Sequence, residues 1–129
     1  MYGDEAITKY NQEENVEMKI EFGKQEEEKI EKFKGGEGVF NAKIFFDGTN
    51  KIIHGRLEPG NTIGYHKHET NSEIIYILEG NGKCIVEDGE EKLSAGDCHY
   101  CKKGESHSLV NDSDKDLIFF AVVPDYILL

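Results

Sequence analysis

Long apolar runs are missing from this chain: no segment is long enough to cross a bilayer. The opening MYGDEAITKYNQEENV also lacks the positive cluster and apolar stretch of an export signal, so the chain reads as soluble and cytoplasmic. Positive charge is in deficit. Fifteen Lys and Arg against 26 Asp and Glu give a formal charge of −11, which opposes binding to the polyphosphate of nucleic acid or to an anionic membrane surface. Cysteine is scarce as well. Cys84, Cys98 and Cys101 are an odd number without an export signal, which argues for reduced thiols rather than a disulfide framework. Cys98 and Cys101 have C-x-x-C spacing, but on one strand a separation of three puts them on opposite faces, and no second pair completes a zinc site. No Pro/Gly/Ser-rich linker divides the 129 residues, so one domain is expected. Residues 1–34 read as an arm and a strand, and 35–129 as the barrel domain.

What is present is a series of short alternating segments. Val16, Met18, Ile20 and Phe22 alternate with charged residues and predict a half-buried strand. Gln25 to Lys34 is charged and fits a short helical turn or a solvated connection equally well. After Gly35 to Gly38, strands are predicted around Phe40 to Phe46 and Lys51 to Leu57, joined by an Asp47-Gly48 hairpin. In the second, His54 and Arg56 share one face, and Ile53, Gly55 and Leu57 the other. Ile74 to Leu78 is apolar on both faces and predicts a central strand covered on both sides. Further strands follow at Lys83 to Glu87, Glu90 to Leu93, Cys98 to Cys101, Glu105 to Asn111 and Leu117 to Val123, separated by Gly, Asp and Asn turns. The sum is an all-β sandwich or barrel.

Chemistry concentrates between Gly60 and Gly80. His66 and His68, two residues apart, point to the same side of an extended strand. Glu73 opens the next strand and can fold back beside them. Two imidazoles and a carboxylate suit a borderline divalent ion such as zinc, iron, manganese, nickel or cobalt. An isolated H-x-H pair is more often a solvated surface feature, and only a longer pattern changes that reading.

Here the pattern is longer. Gly60, His66, His68, Glu73 and Gly80 fall in the spacing G-x5-H-x-H-x4-E-x6-G, which resembles the first motif of the cupin superfamily. Gly96, Gly104, His107 and Asn111 resemble the second motif, with Lys102 where a proline is expected. The substitution loosens a turn but removes no ligand. The resemblance implies a double-stranded β-helix, or jelly-roll, barrel, with His107 as a fourth metal ligand. It also implies a homodimer, because single-domain cupins commonly are. The alternation at Val16 to Phe22 and the apolar tail Tyr126 to Leu129 could cover sheet edges between copies.

Three histidines and one glutamate leave positions open on an ion that takes five or six ligands. The first functional reading is a metal-dependent enzyme acting on a small oxygenated substrate in the barrel, of the dioxygenase, decarboxylase, isomerase or lyase types that cupins include. The alternative is a non-catalytic module that binds metal or a small ligand. Candidates for a second polar residue near the ion are Tyr76, Lys43, His54, Arg56, His99 and Tyr100, with Tyr76 demoted because parity points it away when Glu73 points in. A carboxylate ligand would need the ion and local help from a residue such as Arg56 or Lys43.

Overall fold

The computed structural model describes residues 19–126. The described residues form ten strands: β1 (Glu28–Glu31), β2 (Val39–Phe46), β3 (Lys51–Leu57), β4 (His66–Lys67), β5 (Glu73–Glu79), β6 (Asn81–Val86), β7 (Gly89–Ser94), β8 (Cys98–Cys101), β9 (Ser106–Val110) and β10 (Leu117–Val123). They form a six-stranded sheet in the order β1-β2-β3-β10-β5-β8 and a four-stranded sheet in the order β4-β9-β6-β7. Every pairing is antiparallel. The two sheets enclose one apolar interior.

Period-two alternation selects that interior. β3 and β10 each bury every second residue, and their inward side chains (Ile53 and Leu57, Leu117 and Phe119) meet Phe40 and Ile44 of β2 and Leu109 of β9. Phe40 and Phe119 stack with ring centroids 5.8 Å apart. Three expectations are corrected. Phe22–Lys24 is a 3-10 turn and 19–21 carry no strand, while the rest of the strand expected at Val16 to Phe22 lies outside the described residues. Within 25–34, Glu28 to Glu31 pair with Val39 to Ala42 and extend the sheet, and a 3-10 turn follows at Phe33–Gly35. Lastly, β5 is central but covered on one side only: Ile74, Tyr76 and Leu78 are exposed on its outer face.

The motif glycines mark the turns. Gly60, Gly80, Gly96 and Gly104 have φ between +82° and +95°, where a Cβ is disfavoured. The turn that lacks its proline is closed by Glu105 instead: its carboxylate accepts from the Lys102 backbone N–H at 3.0 Å, and its own N–H donates to the Lys102 carbonyl at 3.0 Å. Asn111 is fully buried and staples three segments. Its amide donates to the carbonyls of Leu57 and Lys115, both at 2.8 Å, and its oxygen accepts from the Ser113 hydroxyl at 2.8 Å and backbone N–H at 3.0 Å.

Candidate metal centre

β4 supplies His66, β5 opens with Glu73, and β9 places His107 directly opposite His66. His68 follows β4, where its backbone is tied to the second-motif turn: its N–H donates to Glu105 and its carbonyl accepts from Gly104. Both sheets therefore contribute to one cluster. The ligand atoms of His66, His68, Glu73 and His107 all lie within 4.8 Å of one another. His68 Nε2 is 3.2 Å from His66 Nε2, 3.1 Å from His107 Nε2 and 3.1 Å from Glu73 Oε1, which is 2.9 Å from His107 Nε2.

Hydrogen bonding on the far side of each ring decides what these atoms present to one another. His66 Nδ1–H donates to the Gly64 carbonyl at 2.7 Å, and His68 Nδ1–H to Asn71 Oδ1 at 2.7 Å. His107 Nδ1–H donates to His99 Nε2 at 3.0 Å, and His99 Nδ1–H donates in turn to the Glu91 carboxylate at 2.8 Å. With the Nδ1 protons committed outward, the three Nε2 lone pairs and the Glu73 carboxylate face a common point. Four electron-rich atoms that close repel unless a cation lies among them. Donors about 2.1 Å from one ion lie about 3.0 Å apart at right angles and about 3.4 Å apart in a tetrahedron, so separations of 2.9 to 3.2 Å fit neighbouring positions around a five- or six-coordinate ion. The donor set fits a divalent metal.

Electrostatics agree. Burial lowers the pKa of His66 to about 4, keeping its imidazole neutral. For His68, burial is outweighed by its bonds to Glu73 and Asn71, and the pKa rises. Burial would raise the pKa of Glu73, but in the metal-free site a proton on the ring nitrogens facing it from His107 and His68 takes the cation's place, hydrogen-bonds the carboxylate and holds it ionised. A buried anion ringed by imidazoles is a site where protons and metal ions compete.

One edge of the cluster opens into a cavity of about 330 Å³, lined by His66, His68 and Glu73 together with Phe33, Lys34, Lys51, Ile53 and Tyr126. Among the six candidate polar residues, none lines this cavity. Tyr76 and Tyr100 are exposed on the outer sheet face, as parity required of Tyr76. Lys43 and His54 sit opposite each other on that face, with His54 against Phe22. Arg56 is there too, in ion pairs with Glu27, Glu58 and Asp116. His99 points inward but stands behind His107, lining a separate cavity of about 460 Å³ with Glu91 and Cys101. The polar residues of the metal-side cavity that the sequence reading missed are Lys51, Lys34, Lys67, Glu69, Thr70 and Asn71. Parity could have found the first, since Lys51 lies two before Ile53 on the inward face of β3.

The two-sheet barrel and its clustered histidines define the class. A family profile for the cupin domain matches residues 53–123, and the chain belongs to the cupin family. Among curated proteins it is similar to the oxalate-binding protein of Thermotoga maritima, at 33% identity over 74% of this chain and 84% of that protein. Among solved structures it resembles a predicted oxalate decarboxylase from Thermotoga maritima, with a TM-score of 0.79 and 30% identity over 84% of this chain and all of that one. An uncharacterised conserved protein with a double-stranded β-helix domain from Klebsiella pneumoniae shares the fold, at a TM-score of 0.66 and 18% identity, covering 85% of this chain and 91% of that one.

Proposed function

We propose that this cupin is a metal-dependent enzyme that acts on a small oxygenated acid, with one divalent transition ion held by His66, His68, Glu73 and His107. The carrying observation is the convergence of three imidazole Nε2 atoms and a carboxylate at the edge of a cavity sized for a small molecule. The names of its Thermotoga maritima relatives, both referring to oxalate, favour an acid over a sugar. When bound, such an ion supplies Lewis-acid polarisation of a carboxylate or carbonyl oxygen. The protein's own part is distinct. Glu91 and His99 hold His107 in the tautomer that directs Nε2 inward, and Phe33 and Ile53 wall the cavity against water. Lys51 holds a proton that burial and the neighbouring Lys34 loosen, lowering its pKa to about 8, close to the range where proton transfer is efficient.

The metal-loaded protein is to be screened against small acids, diols and sugars, following oxygen consumption, carbon dioxide release and thermal shift. Turnover of an acid that disappears in Glu73→Gln supports the enzyme; turnover that persists there removes this site as its source. Stabilisation by an acid without turnover under any condition replaces the enzyme with a carboxylate-binding module.

We further propose a homodimer formed through the outer face of the six-stranded sheet. Of the tail expected to cover an edge, Tyr126 packs edge-on against Phe46 with ring centroids 5.3 Å apart, and Ile127 to Leu129 lie outside the described residues. The exposed apolar surface is elsewhere: Ile74 and Tyr76 on β5, flanked by Val122 and Phe120 of β10 on one side and Tyr100 of β8 on the other. Light scattering is expected to give twice 14.6 kDa for the parent chain and a single 14.6 kDa chain for Tyr76→Asp with Tyr100→Asp. A parent chain that is monomeric at micromolar concentration contradicts the assignment.

A further inference from the structure

His68 sits at the hub of the donor cluster, and both of its ring nitrogens are committed. Nε2 faces His66, His107 and Glu73 at 3.1 to 3.2 Å, so Nδ1 carries the outward proton and lies 2.7 Å from Asn71 Oδ1. That contact fixes the amide. Only the oxygen of a carboxamide accepts an N–H, so Asn71 turns its oxygen to His68 and leaves its Nδ2 amide hydrogens at the other end of the same planar group. Among the described residues nothing accepts from that nitrogen. Nor is it walled in, since His54 Nδ1 is the buried polar side-chain atom left without a partner there, and half-buried Asn71 lines the cavity beside the metal centre. The position is a local one. Asn71 stands in the polar turn 69–72 between β4 and β5, and the start of that turn is held where the His68 backbone bonds Glu105 and Gly104.

We propose that Asn71 is a substrate-binding residue with two working ends: Oδ1 orients the His68 ring, and Nδ2 donates a hydrogen bond to an acceptor oxygen of the guest remote from the ion. This role rests on the metal-centred reading above and adds the group by which the guest is recognised. The amide stands one imidazole ring and one hydrogen bond from His68 Nε2, a reach that a two-carbon guest spans. An amide donor is neutral, so water satisfies it in the empty cavity at little cost. A carboxylate oxygen that replaces the water gains the stronger, charge-assisted kind of bond. The donor also discriminates. A carboxylate or carbonyl oxygen can only accept, whereas a hydroxyl donates or accepts as its neighbour requires. Lys34, Lys67 and Glu69 line the cavity from exposed positions, and Lys51 lies with Nζ 3.7 Å over the Tyr126 ring. These four set the field felt by every charged guest, but a donor tied to a ligand's own ring is found at Asn71.

Two substitutions separate the two ends. Asn71→Asp keeps an oxygen for the His68 Nδ1 proton and removes the donor, while Asn71→Leu removes both without adding charge. The full-length parent and both variants are loaded with Zn²⁺ and titrated by calorimetry with oxalate and with 1,2-propanediol. Bound metal is measured by elemental analysis before and after each titration, because oxalate also chelates free ions. Asn71→Asp is expected to bind the ion within about threefold of the parent, and Asn71→Leu about 10- to 100-fold more weakly, with stoichiometry near one at saturating metal. With the ion in place, both variants are expected to bind oxalate at least about tenfold more weakly, while the diol stays within about threefold in Asn71→Asp. Oxalate binding within twofold of the parent in either metal-replete variant overturns the donor role: a loss confined to Asp comes from added charge, and one confined to Leu from a tilted His68. Unchanged metal affinity in Asn71→Leu overturns the orienting role. If Asn71→Leu does not retain its ion, Asn71→Asp decides alone: a loss of oxalate at least tenfold greater than that of the diol supports the donor, and a smaller difference overturns it. A parent chain that carries metal but does not bind oxalate overturns the substrate class together with the role of Asn71, and a parent chain that takes up no metal overturns the reading on which both rest.

Discussion

Purified parent protein is expected to carry about one first-row divalent ion per chain, and His66→Ala and His107→Ala below about a tenth of one, because each removes a donor that the other three cannot replace. His107 is the more damaging of the two. Its ring is 1% exposed between His68 and His99, so truncation also leaves His99 Nε2 without its donor and opens a void in the interior. His99→Phe separates orientation from ligation: all four donors survive, but His107 loses the partner that fixes its tautomer. Metal affinity in that variant is expected to fall about 10- to 100-fold while stoichiometry at saturating metal stays near one. The affinity of the parent is expected to fall as pH drops through the imidazole range. Because the His68 pKa is raised, proton competition begins above the ordinary imidazole value rather than at it. Unchanged metal content in both alanine variants would refute the four-residue assignment.

Gly64→Ala is expected to lower the melting temperature by about 10 °C and to weaken metal binding with it, although residue 64 is not a ligand. At this point two backbones cross. The Gly64 N–H donates to the Phe33 carbonyl at 3.0 Å, the Thr62 N–H to the Glu37 carbonyl at 2.9 Å, and the Glu37 N–H to the Thr62 hydroxyl at 2.8 Å. A Cβ on Gly64 would run into the Lys34 carbonyl oxygen and lie 2.7 Å from the Gly36 nitrogen, and backbone atoms cannot move aside as a flexible side chain can. The cost is overpacking plus strained hydrogen bonds, about 1–3 kcal/mol or somewhat more. The Gly64 carbonyl also accepts the His66 Nδ1 proton, so any displacement of the crossing turns that ring away from the cluster. Gly23→Ala is the control, since nothing lies within 4 Å of a Cβ there, and it is expected to change the melting temperature by less than about 2 °C. Equal melting temperatures for the two variants would show that the crossing has room to spare.

The parts of this structure legible in the sequence are those governed by period-two alternation and by turn chemistry. β2, β3 and β10 were readable because their inward residues are large and apolar and their boundaries carry Gly, Asp or Asn. The shared face of His66 and His68 followed from parity, and Glu73 from a turn that could fold its strand back beside them, but the motif spacing is what singled them out; His107 depended on the second motif, because its distance of 39 residues from His68 says nothing local about contact. β1 was illegible for a physical reason: at the sheet edge it buries only part of Ile30, so Glu28, Lys29 and Glu31 carry no alternation. The outer face of β5 misled in the opposite direction. Ile74, Tyr76 and Leu78 have the composition of a covered surface, and composition cannot distinguish cover by the chain itself from cover by a second copy. His99 was noticed for its chemistry but not placed, since only the register of Ile75 opposite His99 sets it behind His107 rather than in the cavity.

The stretch matched by the family profile, residues 53–123, contains His66, His68, Glu73 and His107, whereas Phe33, Lys34, Lys51 and Tyr126 all lie outside it. Part of the pocket wall therefore lies outside the stretch that holds the donors. Exchange of the segments before 53 and after 123 would leave the ion's donors untouched while replacing Phe33, Lys34, Lys51 and Tyr126 in the wall that a guest meets. The donors and the rest of the wall can thus be varied independently by substitution at these four positions.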